Sequence, residues 1–222
     1  MDDDAIRDLL AEQTAYYRER AREYDTTSRP PGDPFASITQ DAMIALRRLG
    51  PVDLAIELGA GTGAFTRVLA TIAGEVVALD SSPEMLEVNR AKVTALNIER
   101  VVGDVFDWQP VRPAQLVVFG FLLSHIPATR FDSFWEAVGR MLTPGGRVFV
   151  MDETPHGLWR EKEAPAEDRG VIYRTLSDGR RFRIVKVFWE PADLEQRLAA
   201  LGWLARLERG DPFYWGEISQ MA

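Results

Sequence analysis

Three glycines at alternate positions, Gly59, Gly61 and Gly63, follow the apolar run Leu54–Leu58 and precede a helical pattern from Ala64 to Ile72. Glycine has no Cβ, so the backbone there can approach a ligand closely while N–H groups at the helix start point outward. Asp80 ends the next apolar run, twenty-one residues beyond Gly59. A carboxylate at that place offers two acceptor oxygens to a ribose. Gly59-x-Gly61-x-x-Ala64 also satisfies the dinucleotide fingerprint. These residues therefore point to a nucleoside ligand and leave adenosyl and nicotinamide cofactors both open.

Side chains able to move a proton are few. The chain has 2 histidines, His125 and His156, and no cysteine, which removes disulfides, thiolate metal sites and a cysteine nucleophile. His125 follows the apolar run Leu116–Phe121, and Asp152 and Glu153 follow the run Arg147–Met151. Both places lie at the strand ends where open α/β sheets bind ligands. His125 and Asp152 are the candidate catalytic residues. A hydrogen-bonded structural histidine is the competing reading of His125. No metal site is expected.

These residues need a scaffold of alternating strands and helices. Apolar spacing predicts an N-terminal helix over Asp4–Tyr24, a Pro- and Gly-rich loop over 26–34 and a helix over Ile38–Leu49. Strands are predicted over Leu54–Leu58, Val76–Leu79, Ile98–Val102, Leu116–Phe121 and Arg147–Met151. Helices are predicted over Ala64–Ile72, Pro83–Leu96 and Ala128–Leu142, the last stopping at Pro144-Gly145-Gly146. The alternation implies a parallel sheet with helices on both sides. After Met151, Val171–Leu176 and Arg181–Phe188 flank Asp178-Gly179, a hairpin signal. A helix over Pro191–Leu201 and an aromatic stretch over Leu204–Ile218 close the chain. The basic residues from Arg160 to Lys186, Arg174 among them, read as a solvated face or as a patch for an anionic aromatic acceptor.

With 222 residues, 26 of them basic and 34 acidic, the net charge is −8, opposite to what nucleic acid or an anionic membrane selects. The expected partner is a small molecule, with no nucleic acid and no membrane. No apolar run approaches the roughly 20 residues of a spanning helix, and the start is acidic where a signal peptide is basic. A cytoplasmic monomer or homodimer is expected.

Four ordered segments make the glycine loop specific: Glu57-Leu58-Gly59-Ala60-Gly61-Thr62-Gly63, Ala78-Leu79-Asp80-Ser81-Ser82-Pro83-Glu84-Met85-Leu86, Gly103-Asp104-Val105 and Leu142-Thr143-Pro144-Gly145-Gly146-Arg147. In them the chain, from about Tyr16 to its C-terminus, resembles the class I S-adenosylmethionine-dependent methyltransferases of small-molecule type. The resemblance implies an α/β fold: a doubly wound, mostly parallel seven-stranded sheet with an antiparallel C-terminal edge strand, helices on both faces and an N-terminal helical lid. It implies one domain over 1–222, with N-terminal helices over 1–50, the cofactor core over 51–155 and a hairpin, helix and C-terminal strands over 156–222.

The resemblance also assigns roles. Gly59, Ala60, Gly61 and Gly63 would pack under the amino-acid part of S-adenosylmethionine, with Glu57 fixing the loop or receiving the ammonium. Asp80 would take the ribose, Ser81 and Met85 would border the adenine, and Gly103, Asp104 and Val105 would meet its edge. Tyr16, Arg20 and Tyr24 would cover the cofactor, and Phe119 and Ser124 would adjoin it from the fourth strand. The activity implied is in-line methyl transfer to an O, N or S atom of a small, aromatic or apolar acceptor. An NAD(P)-dependent oxidoreductase and a cofactor-binding protein without transferase activity are the alternatives.

Overall fold

The computed structural model describes residues 2–28, 32–156 and 170–221. Trp159, Arg160 and Arg169 of the basic segment lie outside the described residues. The chain opens with α1 (Asp3–Arg20), whose N-terminal amides meet the Asp2 carboxylate (Ala5 N to Oδ1, 2.8 Å) beside the acidic Asp3 and Asp4. There follow α2 (Tyr24–Ser28), α3 (Ala36–Arg47), β1 (Val52–Leu58), α4 (Thr66–Ile72), β2 (Ala73–Asp80), α5 (Pro83–Lys92), β3 (Ile98–Val102) and β4 (Ala114–Gly120). Then come α6 (Phe131–Met141), β5 (Leu142–Glu153), β6 (Val171–Thr175), β7 (Arg181–Val185), α7 (Pro191–Ala199), β8 (Trp203–Gly210) and β9 (Phe213–Gln220).

Among the described residues one sheet of seven strands has the order β3-β2-β1-β4-β5-β9-β8. β1 to β5 are parallel, and β9 runs antiparallel between β5 and the outermost strand β8. The reversal of order at β1 and β4 opens a crevice at their C-terminal ends, the usual ligand position in such sheets. Side chains alternate between two apolar layers. Val117 and Phe119 of β4 pack with Phe134, Val138 and Met141 of α6, while Leu116 and Val118 pack with Leu46 of α3 and Leu69 of α4. Both faces are covered, which is why β4 reads as an unbroken apolar run.

Four details differ from the expectations. The loop expected from Thr26 begins as a helical turn, because the Arg20 guanidinium donates to the hydroxyls of Thr27 and Ser28, both at 2.9 Å. The helix expected over Ala128–Leu142 begins with a separate 3-10 turn, Ala128–Arg130, before α6. The helix expected over Pro83–Leu96 ends at Lys92. At the Pro144-Gly145-Gly146 turn the register with β4 jumps from Ala114↔Leu142 to Leu116↔Arg147, so the intervening residues bulge out of the pairing, with Gly145 at φ 74°.

β6 and β7 form a separate antiparallel pair whose turn has Gly179 at φ 88°. It packs on α1 rather than on the main sheet: Tyr16 meets Ile172, Leu176 and Ile184, and Leu9 meets Val171 and Val185. Helix and hairpin together stand beside the crevice. No helix among the described residues is long and apolar enough to cross a membrane.

Candidate functional site

The crevice at the ends of β1, β2 and β4 has two lobes that share the walls Tyr17, Tyr24, Gly59, Gly61, Gly120, Phe121 and His125. The first lobe is bounded by Asp80, Ser81 and Met85 after β2 and by Gly103, Asp104, Val105 and Phe106 after β3. The Ser82 hydroxyl accepts from Met85 N at 3.1 Å, capping α5 and fixing the turn that carries Ser81. Asp80 ties the lobe together: Gly61 N donates to its Oδ2 at 2.7 Å and Ser82 N to its Oδ1 at 2.8 Å. Burial raises the Asp80 carboxyl above its ordinary value, and those two hydrogen bonds pull the other way. Asp104 is exposed, with its Oδ1 accepting from Phe106 N at 2.9 Å.

The glycine loop lies between the lobes. Gly61 has φ 50°, and a Cβ built on it would meet nothing closer than Gly59 O at 3.9 Å, so any side chain there would occupy the crevice itself. The second lobe is bounded by Ala60, Thr62, Arg20, Asp25, Glu153, Arg174 and Lys186. Arg20 is 8% exposed, and its guanidinium lies 4.8 Å from the Tyr24 ring centroid. The Asp25 carboxylate accepts from the Thr62 hydroxyl at 2.7 Å and pairs with Lys92 at 2.6 Å. Lys186, 3% exposed, pairs with Glu153 at 2.6 Å and donates to the Ser124 hydroxyl at 3.0 Å.

His125 lies on both lobes, with Nδ1 2.7 Å from Val185 O and Nε2 2.9 Å from the Tyr17 hydroxyl. A carbonyl only accepts, so Nδ1 carries a proton and donates. Burial, with Lys186, Arg174 and Arg20 nearby, holds the imidazole pKa well below its ordinary value, so the ring is neutral and Nε2 accepts from Tyr17. Burial also raises the Tyr17 phenol well above its ordinary value.

Of the residues expected at the site, Arg20, Tyr24, Gly59, Ala60, Gly61, Asp80, Ser81, Met85, Gly103, Asp104, Val105 and His125 come together on the crevice wall. Six expected residues stand behind it. Tyr16 is buried against the hairpin, Phe119 faces α6, and Gly63 sits against Asn89 and Val93. Ser124 is turned to Lys186. Asp152, expected as catalytic, is fully buried, and its oxygens accept from Ser124 N at 2.9 Å and Glu153 N at 2.8 Å. It holds the turn bearing His125 and does not face the crevice. His156 is 63% exposed, beside Asp211.

Glu57 is the sixth. It lies under the loop, accepting from the Thr66 hydroxyl, which in turn accepts from Asn89 Nδ2 at 2.8 Å. Burial pushes its carboxyl up to about 8, opposed by the Thr66 hydrogen bond and reinforced by Asp80. The unfolded chain ionises this group near 4.5, so the folded state loses stability as pH rises from there and the loss stops growing above about 8. Glu57→Gln, which never ionises, gains on the wild type by about 1.4 kcal/mol per pH unit across that window and by nothing more beyond it. Urea unfolding at acid, neutral and alkaline pH measures this; a difference independent of pH would refute it.

Phe121 and Tyr17 were not singled out by sequence, and Arg174 and Lys186 only as members of the basic segment. Phe121 has φ 56°, a costly conformation for an aromatic residue, held by its N–H donating to Met151 O at 2.7 Å. Arg174 and Lys186 face the crevice, whereas Arg180 pairs with Glu19 at 2.9 Å and Arg183 with Glu12 at 2.8 Å on the outside. The basic hairpin thus turns some of its cations to the crevice and others to its outer side. Among the described residues no three His, Asp or Glu side chains gather as metal ligands would.

Residues 55–146 match the family model described as a methyltransferase domain. The structure superposes on DhpI in complex with SAH with a TM-score of 0.82 at 37% identity, covering 96% of this chain and 97% of that one. A DhpI complex with SAM and HEP gives 0.80 at 39%, covering 95% and 97%. Trans-aconitate 2-methyltransferase of Methylobacterium radiotolerans is 32% identical over 155 residues, 66% of this chain and 56% of that protein. Protein-L-isoaspartate O-methyltransferase of Pseudomonas paraeruginosa is 28% identical over 138 residues, 58% of this chain and 61% of that protein. The chain thus spans less than two thirds of the length of these two relatives. The four ordered segments, the crevice that the first three of them line and the match along nearly all of DhpI agree, and set the oxidoreductase reading aside: the chain belongs to the class I S-adenosylmethionine-dependent methyltransferases.

Proposed function

We propose that this enzyme transfers the methyl group of S-adenosylmethionine to an oxygen of a small anionic acid. The observation that carries this is the pair Arg174 and Lys186 on the second lobe beside His125. Arg20 suits the cofactor's carboxylate, and Arg174 with Lys186, the latter paired with Glu153 at 2.6 Å, gives the same lobe further positive charge for an acceptor. Names of two relatives point the same way, since isoaspartate and aconitate are acids. DhpI forms a complex with SAM and HEP together, in a chain that this one covers almost completely. This reading takes up the anionic acceptor that the basic segment suggested and makes its charge, not its aromatic or apolar body, the feature recognised.

The cofactor supplies a methyl carbon activated by a sulfonium and open to in-line displacement. The donor set on the wall suits it: Asp80 for the ribose hydroxyls, Met85 and Asp104 for the adenine, and the bare Gly59-Ala60-Gly61 backbone and Arg20 for the amino acid. An oxyanion attacks without losing a proton, so His125 is not required as a base. Its neutral ring adds no charge beside Arg174 and Lys186, whose field orients the acid. The aromatic walls Tyr17, Tyr24, Phe121 and Phe213 exclude water from the reacting atoms.

The test is a panel of small carboxylates, phosphonates and their neutral amides and alcohols, with formation of S-adenosylhomocysteine as the readout. Turnover is expected with the anions. Arg174→Ala raises KM for the best acceptor by about tenfold or more, as loss of a charge-assisted hydrogen bond implies, and leaves S-adenosylhomocysteine affinity unchanged. Turnover confined to neutral acceptors would sink the reading.

A further inference from the structure

Tyr17 occupies an unusual electrostatic position. Its hydroxyl is 2.9 Å from His125 Nε2; three further contacts hold His125 in place, and one of them decides which ring nitrogen carries the proton. His125 Nδ1 faces Val185 O at 2.7 Å, Val185 N donates to Gln13 Oε1 at 2.9 Å, and Gln13 Nε2 donates to His125 O at 3.3 Å. This closed ring, drawn from α1, β7 and the turn after β4, permits one tautomer, with hydrogen on Nδ1 and a lone pair on Nε2. Tyr17 must therefore donate to His125. Its oxygen keeps only lone pairs for the crevice, and the depressed imidazole and raised phenol pKa values keep that arrangement through neutral pH.

Tyr17 also lines both lobes. In the cofactor, sulfur joins the adenosyl part to the amino-acid part, so the junction of the lobes is where sulfur belongs. Carbons on a sulfonium carry partial positive charge and attract an oxygen lone pair; those on the neutral thioether of the product do so far less. We infer that Tyr17 is the residue with which this enzyme distinguishes S-adenosylmethionine from S-adenosylhomocysteine: its oxygen, aimed by His125, favours the charged donor and releases the neutral product. The inference rests on the cofactor and not on the acceptor.

Calorimetric titration of both cofactors in the absence of acceptor tests it. Tyr17→Phe keeps the ring and removes the oxygen, and is expected to weaken S-adenosylmethionine binding by about fivefold while leaving S-adenosylhomocysteine binding unchanged, the size of one weak carbon-donor hydrogen bond. The retained product affinity reports that the variant is folded. His125→Leu, which leaves the phenol proton free to turn into the crevice, is expected to lose the same discrimination. Equal changes for the two cofactors in Tyr17→Phe, or none, would overturn the inference, as would full discrimination in His125→Leu. None of these outcomes bears on the anionic acceptor, and an acceptor panel that returns no acid leaves Tyr17's role untouched.

Discussion

Asp80→Ala raises the dissociation constant for S-adenosylhomocysteine by about a hundredfold, equivalent to about 2.7 kcal/mol. Two losses combine. The carboxylate is the acceptor proposed for the ribose hydroxyls, and each hydrogen bond to a charged group contributes about 1.5–3 kcal/mol. It also ties the glycine loop to the β2–α5 turn through Gly61 N at 2.7 Å and Ser82 N at 2.8 Å, so its removal loosens both rims of the first lobe. Hydration of the freed amides offsets part of this, which is why the full sum is not expected. Asp80→Asn keeps one acceptor oxygen and should fall between, at about tenfold. Because burial raises the Asp80 pKa, wild-type affinity begins to fall with decreasing pH earlier than for an ordinary aspartate. Calorimetry measures all three effects, and unchanged affinity in Asp80→Ala would remove Asp80 from the ribose site.

That half of the site was legible because its parts are local. Gly59, Gly61 and Asp80 act through a strand, a turn and the next strand, and their spacing is written in consecutive residues. Parity along β4 was harder. Alternation shows that Phe119 and Phe121 differ from their neighbours, but it does not say which layer each enters. The positive φ of Phe121 then breaks the alternation where it matters, sending Phe121 to the crevice while Phe119 packs on α6.

The second lobe, proposed for the acceptor, was the least legible, because its contacts join distant segments. Tyr17 and His125 are 108 positions apart, and His125 and Val185 are 60 apart. Charge alone could not divide the hairpin either. Period-two alternation groups Arg174 apart from its neighbours, but which group meets the crevice is decided by β6 and β7 packing on α1. Asp152 shows the reverse error. A carboxylate at a productive strand end reads as catalytic, yet two backbone N–H groups claim its oxygens from inside the sheet.

Lys186→Met should produce the largest combined loss, of both stability and turnover. The Lys186 side chain is 3% exposed, its ammonium 2.6 Å from Glu153, and its charge also steadies the buried Asp152. Methionine fills the volume but leaves those carboxylates without the cation, and breaking a buried pair from one side costs about 3–5 kcal/mol. The acceptor loses one of its two proposed cations, so kcat/KM should fall by about a hundredfold or more. The two effects can be separated. In Lys186→Met with Glu153→Gln neither charge of the pair remains, so much of the stability returns, as measured by urea unfolding, while turnover of an anionic acceptor stays low. Recovery of turnover together with stability would show that Lys186 supports the wall without touching the acceptor. Loss of turnover that persists in the stable double variant, with S-adenosylhomocysteine affinity intact, is the result expected if Lys186 binds the acid.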